Sequence, residues 1–410
     1  MAIDIGAGIT IGGGILMQAG AGATVPGAPT IGSATATGET TATVSFTAPA
    51  SNGGATITSY TATSSPGGVT GTLNQAGSGT ITVTGLTAST SYTFTVTATN
   101  SIGTSSSSAA SNSITTDAPA RVYQAIFGYG LTSVAVSMTN IVSDTGVVGN
   151  DVTGVGTARS YLAAATYGTD KAIFGYGETS TQVSMTNLVS NTGVVSADTT
   201  GVGTARSAPA AAGYGGDKGI FGYGVTASDF VSMTNKVSNT GVVANDTTGV
   251  GTTRFNLAAA TYGTDKAIFG YGYAAPSFAA TAITNLVSNT GVVATDTSGV
   301  GSARSALAAG TYGGDKAIFG YGNQSGSQVS ITNLVSNTGV VANNTTGVGT
   351  AREQLAASGY GSDKAIFGYG YDAILPYTSI TNLVSNTGVV GNDVTGVGTA
   401  RYRLAAASIG

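Results

Sequence analysis

The sequence contains no cysteine, no histidine and no tryptophan. Without imidazole there is no histidine general base and no histidine metal ligand. Without thiols there is no thiolate nucleophile, no disulfide framework and no redox compartment to read. Charge is scarce as well: charged residues make up 8% of the chain and the formal net charge is −4. The first lysine or arginine is Arg121. A basic footprint is missing, which argues against nucleic acid as a partner. The three glutamates, Glu39, Glu178 and Glu353, stand far apart in sequence. No local spacing suggests the carboxylate pair of a glycoside hydrolase. Long apolar runs are also lacking. The start "MAIDIGAGITIGGGILMQAG" is apolar but interrupted by glycines and has no basic n-region. Neither a signal peptide nor membrane insertion is expected from it.

What the chain does have is short runs of Thr, Val, Ile, Tyr and Phe between Gly, Asn and Asp punctuation. Such runs read as many short strands. The expected fold class is all-β. Residues 1–25 read as a Gly-rich apolar arm. In it the alternation of Ile9 and Ile11, then Ile15 and Met17, suits an extended segment that pairs with a neighbouring subunit. A flexible tail is the alternative.

Residues 26–117 alternate clearly at Ala42, Val44 and Phe46, and again at Tyr92, Phe94, Val96 and Ala98. Each run predicts one strand with one face inward, and Asn52-Gly53-Gly54 predicts a turn. Roughly seven short strands in this span suit a β-sandwich. The stretch "VTGL…SYTFTVTATNSIGTSSSS" resembles the last strands of a fibronectin type III domain. Phe46 stands where that family commonly has tryptophan, and Tyr60 and Tyr92 where it has tyrosines. The resemblance implies a spacer or adhesion module.

Residues 118–410 repeat. "IFGYG" begins at Ile126, Ile173, Ile220, Ile268, Ile318 and Ile366, at intervals of 47, 47, 48, 50 and 48 residues. Periods of this size mark a propeller or solenoid. Each copy divides into four expected strands: "LAAATYG", "AIFGYG", "VSMTNLVS" and "GVV". In "AIFGYG" alternation is expected to put Ala, Phe and Tyr on one face, with Phe and Tyr packed toward the same neighbouring copy. The first copy has no "LAAATYG" before it, and the last such segment, "RLAAASIG", has no "AIFGYG" after it. The C-terminal strand is therefore expected to complete the first blade of a six-bladed ring. The order Arg, apolar strand, turn, Gly-ended strand, then Asn-Thr resembles kelch repeats. Gly-Tyr-Gly replaces their glycine doublet, and their tryptophan is absent. The copper-radical chemistry of some kelch enzymes needs histidine and cysteine, which this chain lacks.

Residues present in every copy are expected to build the copies. These are Arg159, Arg206, Arg254, Arg304, Arg352 and Arg401, and the Asp-Lys turns. The Asn/Asp-rich loops read as Asx turns, with calcium as the weaker alternative. No catalytic residue, metal ligand or cofactor is expected. Binding is expected where the copies differ, just after "GYG". The candidates are Phe230, Tyr273, Pro276, Phe278, Tyr371, Leu375, Pro376 and Tyr377. An apolar arm, a type III spacer and a repeat ring without chemistry together resemble structural proteins of tailed-bacteriophage virions, including those infecting cyanobacteria. That resemblance implies a fibre, spike or capsid-decorating protein, oligomeric, attached to other virion proteins through its N-terminal part. Its propeller would face outward toward a host surface protein or glycan. A bacterial cell-surface or secreted adhesin is the alternative, and an extracellular carbohydrate-active enzyme the second.

Overall fold

The computed structural model describes residues 22–118, 122–374 and 376–410, and the backbone of two short strands, Thr10–Ile11 and Ile15–Leu16. Those two strands pair antiparallel, with Ile11 opposite Ile15. Ile9 and Met17, the other members of the expected arm, lie outside the described residues. The chain divides into two compact units, Met1–Arg121 and Val122–Gly410. All regular structure among the described residues is β.

In the first unit one sheet pairs Thr30–Ala36, Thr41–Thr47 and Gly79–Thr84. The other orders Thr70–Leu73, Ile57–Ser65, Ser91–Asn100 and Ile114–Thr115. The alternation at Ala42, Val44 and Phe46 and at Tyr92, Phe94, Val96 and Ala98 is buried, as the period of two demands. Phe46 and Tyr60 meet in this core, their ring centroids 4.2 Å apart. The Tyr92 hydroxyl accepts from the Thr87 N–H at 3.0 Å. The serine-rich stretch uses its side chains in place of a regular ladder. Hydroxyls of Ser105, Ser108 and Ser111 accept from the backbone N–H groups of Ala98, Val96 and Phe94.

The second unit contains six equivalent three-stranded sheets. In the second copy the strands are Ala163–Tyr167, Lys171–Gly175 and Thr186–Val189. The same register recurs in the second to sixth copies: alanine opposite glycine at one end, tyrosine opposite lysine at the other. The first sheet is assembled from both ends of the unit, because Ala405–Ile409 pairs with Gln124–Leu131, with Gly128 opposite Ala405. The inner strand of each sheet touches the inner strand of the next, and Ala405–Ile409 touches Ala163–Tyr167, so the order of neighbours returns to its start.

Two expectations are corrected here. "GVV" is not a fourth strand. It joins its sheet through isolated bridges, such as Val189 with Val195 and Val237 with Val243. The loop after Asn-Thr-Gly curls back too soon for a longer ladder. The second correction concerns "AIFGYG". Simple alternation places Ala, Phe and Tyr on one face. In the structure Tyr129 packs forward on Phe174 of the next sheet, whereas Phe127 packs backward on Tyr369. The cause is a left-handed tyrosine in every copy, with φ of 62° at Tyr129 and similar values at its five counterparts. A residue with φ > 0 breaks the pleat and re-aims its side chain.

The glycine between Phe and Tyr has a different task. A Cβ on Gly222 would lie 2.8 Å from Cζ of Phe269 in the next sheet, and one on Gly368 would lie 2.7 Å from Cζ of Phe127. Each phenylalanine is therefore seated against backbone, and the contact closes from the sixth sheet onto the first.

Candidate binding face

The strand directions give every sheet two ends. At one end lie the Asp-Lys turns. There the carbonyls of Asp217, Asp265, Asp315 and Asp363 accept from Gly168, Gly215, Gly263 and Gly313 in the preceding copy. The first copy has no such turn. The Tyr123 carbonyl takes its place, accepting from Gly361 N–H at 2.8 Å, and Gly410 N–H donates to Asp170. The five lysines pair with their neighbouring aspartates at 2.6–2.9 Å and remain partly exposed. Such exposed surface pairs contribute little to stability. They are turn chemistry, as expected.

The six arginines are all fully buried. Each guanidinium lies over the tyrosine of the preceding sheet, at 4.1–4.8 Å from the ring centroid. In Arg159, Nε donates to the Tyr176 carbonyl, Nη1 to the Thr157 carbonyl and Nη2 to Asn187 Oδ1. Arg304 and Arg401 repeat that three-part fork. Burial lowers the arginine pKa values, and the adjoining tyrosine and carboxylate oppose that shift. Burial also pushes the Tyr129 and Tyr176 hydroxyls up to about 12, against the lowering effect of the arginine charge.

The aspartates of the Asn/Asp-rich loops complete these joints. Asp198 accepts from the Thr157 N–H and hydroxyl and from Asn187 Nδ2. Burial would raise its pKa, but these hydrogen bonds and the Arg159 charge outweigh burial and hold it below the usual carboxylate value. The fifth copy carries a matched exchange: Asn344 and Ser302 stand where the others have aspartate and threonine, and Asn344 Nδ2 donates to Ser302 Oγ. The carboxylates are thus engaged by protein donors. No group of three or more Asp or Glu side chains suited to a cation occurs among the described residues.

At the opposite end the copies differ. Immediately after each arginine stands a variable dipeptide: Ser160-Tyr161, Ser207-Ala208, Phe255-Asn256, Ser305-Ala306, Glu353-Gln354 and Tyr402-Arg403. The second residue of each pair has φ of 49–56°. Their backbones form a cycle. Ala208 donates to Tyr161, Asn256 to Ala208, Ala306 to Asn256, Gln354 to Ala306, Arg403 to Gln354, and Tyr161 to Arg403. A hollow of about 80 Å³ opens within this cycle. These dipeptides were not among the expected site residues. The signal was available, since they vary among copies as the post-"GYG" loops do.

The two variable elements meet in two aromatic groups. Phe230 and Phe278 of successive loops pack edge to face at 4.9 Å, Phe230 lies 4.6 Å from Phe255, and Phe255 lies 5.5 Å from Tyr273. Phe278 remains 66% exposed, and Pro276 is exposed beside it. In the second group Tyr377 stacks on Tyr402 at 5.2 Å, with Tyr371 at 6.0 Å. Arg403 covers Tyr402 and Tyr161 and donates to Gln354 Oε1. Pro376 is exposed at the loop tip, next to Ile374. Leu375 lies outside the described residues. The expected loop residues therefore fall into two separate groups, each completed by an aromatic from the post-arginine dipeptide.

Residues 27–114 match the family model of the fibronectin type III domain, in agreement with the two sheets, the Phe46–Tyr60 core and the Tyr92 hydrogen bond. No curated protein matches the chain.

Proposed function

We propose that the fibronectin type III domain carries a six-bladed, kelch-like β-propeller closed by the C-terminal strand. In this reading the chain is a non-enzymatic structural protein of a tailed-bacteriophage virion. The N-terminal part attaches to the particle, and the propeller is displayed toward a host surface protein or glycan. One observation carries the proposal. The polypeptide joins the ring at the Asp-Lys end, where Tyr123 bonds to Gly361, and the residues that differ among copies gather at the other end. The repeated arginines, tyrosines and phenylalanines are buried where one sheet meets the next. What varies forms two half-buried aromatic groups, with Phe278 the exposed ring among them, as contact surfaces do. The kelch comparison is supported by the buried arginine and the Gly-ended strand in each copy. It departs from that family in the Gly-Tyr-Gly and the missing tryptophan.

Proteomics and antibody labelling of purified particles from the source test the virion placement. Finding the chain only in the host cell envelope would favour an adhesin instead. Incubating the intact chain with host envelope glycans tests binding and cleavage together. Binding without turnover is expected, and turnover would overturn the non-enzymatic reading.

A further inference from the structure

Between the loops of the third and fourth copies lies a cleft of about 300 Å³, bounded by Val225–Phe230 on one side and Ala275, Pro276 and Phe278 on the other. That size is at the lower limit of small-molecule sites and suits one ring-sized group. Its two walls differ chemically. The first carries Ser228, whose hydroxyl lies 3.5 Å from Thr226 Oγ1, and Asp229. Thr226 is occupied in the turn, its Oγ1 accepting from Asp229 N–H and donating to the Asp229 carbonyl. The Asp229 carboxylate has no hydrogen-bond or ion-pair partner among the described residues and is exposed. The second wall is apolar and ends in the exposed Phe278 ring. Phe230, wedged between Phe278 and Phe255, backs the junction of the two walls.

We propose that this cleft is a subsite for one neutral pyranose of a glycan. This rests on reading the variable end as the contacting face. A pyranose has an apolar C–H face and a rim of hydroxyls, which matches one aromatic wall and one carboxylate–hydroxyl wall. The C–H face lies on Phe278, and ring hydroxyls donate to Asp229 and exchange hydrogen bonds with Ser228. A free organic cation fits less well. It needs aromatic faces on several sides to replace its hydration, and here the exposed ring stands on one side of an open cleft. Acidic sugars are disfavoured: no lysine or arginine lines the cleft, and the unpaired Asp229 repels a second carboxylate or a sulfate.

The test uses the intact chain and the variants F278A, D229N and Y377A on an array of neutral, uronic, sialylated and sulfated oligosaccharides. The same proteins are applied to host envelope. The expected result is binding to neutral glycans that falls at least about tenfold in F278A, the scale of one lost aromatic contact. It also falls in D229N and survives in Y377A and in excess tetramethylammonium. Unchanged melting curves show that the two variants remain folded. Unaffected binding in F278A and D229N would overturn the subsite, as would selectivity for acidic glycans or competition by tetramethylammonium. If Y377A alone abolishes envelope binding, the contacting face stands and the pyranose cleft falls. If protease treatment of the envelope removes binding while glycan removal does not, the partner is a protein and the cleft proposal falls. If the intact chain binds neither glycan nor envelope, both fall.

Discussion

Arg401 Nε donates to the backbone carbonyl of Tyr129 at 2.9 Å, across 272 positions of sequence. The same bond joins Arg159 to Tyr176 and Arg304 to Tyr321 across 17 positions. A local joint and the joint that unites the two ends of the second unit are therefore chemically identical. The stability of that unit should depend on each of them.

Deleting Leu404–Gly410 should destabilise the whole second unit. The deletion removes the strand paired with Gln124–Leu131 and the buried side chains of Leu404, Ala405, Ala407 and Ile409. Each large apolar side chain contributes about 1.5–3 kcal/mol, and an unpaired strand edge is left on the first sheet. Thermal melting followed by circular dichroism checks this. A truncated chain that melts like the intact one would refute the closing role of the strand.

Arg304→Lys keeps the charge but loses the fork that reaches the Tyr321 and Ser302 carbonyls and Asn333 Oδ1. Lysine cannot reproduce planar, divergent donation. A loss of about 2–4 kcal/mol is expected from the abandoned buried acceptors. Urea denaturation measures it, and a loss below about 0.5 kcal/mol would show that the arginines are replaceable filler.

Gly222→Ala places a methyl 2.8 Å from Phe269 Cζ. Overpacking of this kind costs about 1–3 kcal/mol. Combining it with Phe269→Leu should give less destabilisation than the two single changes add to, by about 1 kcal/mol. Strict additivity in a double-mutant cycle would mean that the two residues do not meet.

Acid should loosen the joints. Asp151, Asp198, Asp246, Asp296 and Asp393 are all held below the usual carboxylate value. In each, burial pushes upward and is outweighed by threonine and asparagine hydrogen bonds and by the arginine charge. A depressed folded value means stability that is present above the unfolded value of about 3.9 and lost as pH falls through the folded values. The urea midpoint of the intact chain should therefore drop as pH falls below about 4. The curve for Asp246→Asn should approach it there, because that site no longer titrates. A midpoint independent of pH between 5 and 2.5 would contradict the assignment.

The ends of the second unit should differ in function. Phe278→Ala and Phe255→Ala disrupt the Phe230 cluster on the variable end, whereas Lys218→Ala alters only a turn pair at the other end. Envelope binding should fall in the first two and remain in the third. Equal loss in all three would remove the distinction between the ends.

The number of sheets, three of the four expected strands in each copy and the donation of the last strand to the first copy were legible in the sequence. They follow from a 47–50-residue period and from short apolar runs, both properties of neighbouring residues. The sandwich core was legible for the same reason, because alternation at Ala42, Val44 and Phe46 is a local pattern. The direction of Tyr129 was not legible: a left-handed φ reverses the face that alternation assigns, and it is held by an arginine and a loop carbonyl from outside the strand. The post-arginine dipeptides were visible as variation, yet Phe255 and Tyr402 acquired meaning only once the loops of other copies lay against them. Sequence by itself determined what each copy is built from, since strand formation and turning are decided within a few residues. Only the tertiary structure decided which side chains meet across copies, because those contacts depend on the close approach of segments about 25 to 270 residues apart.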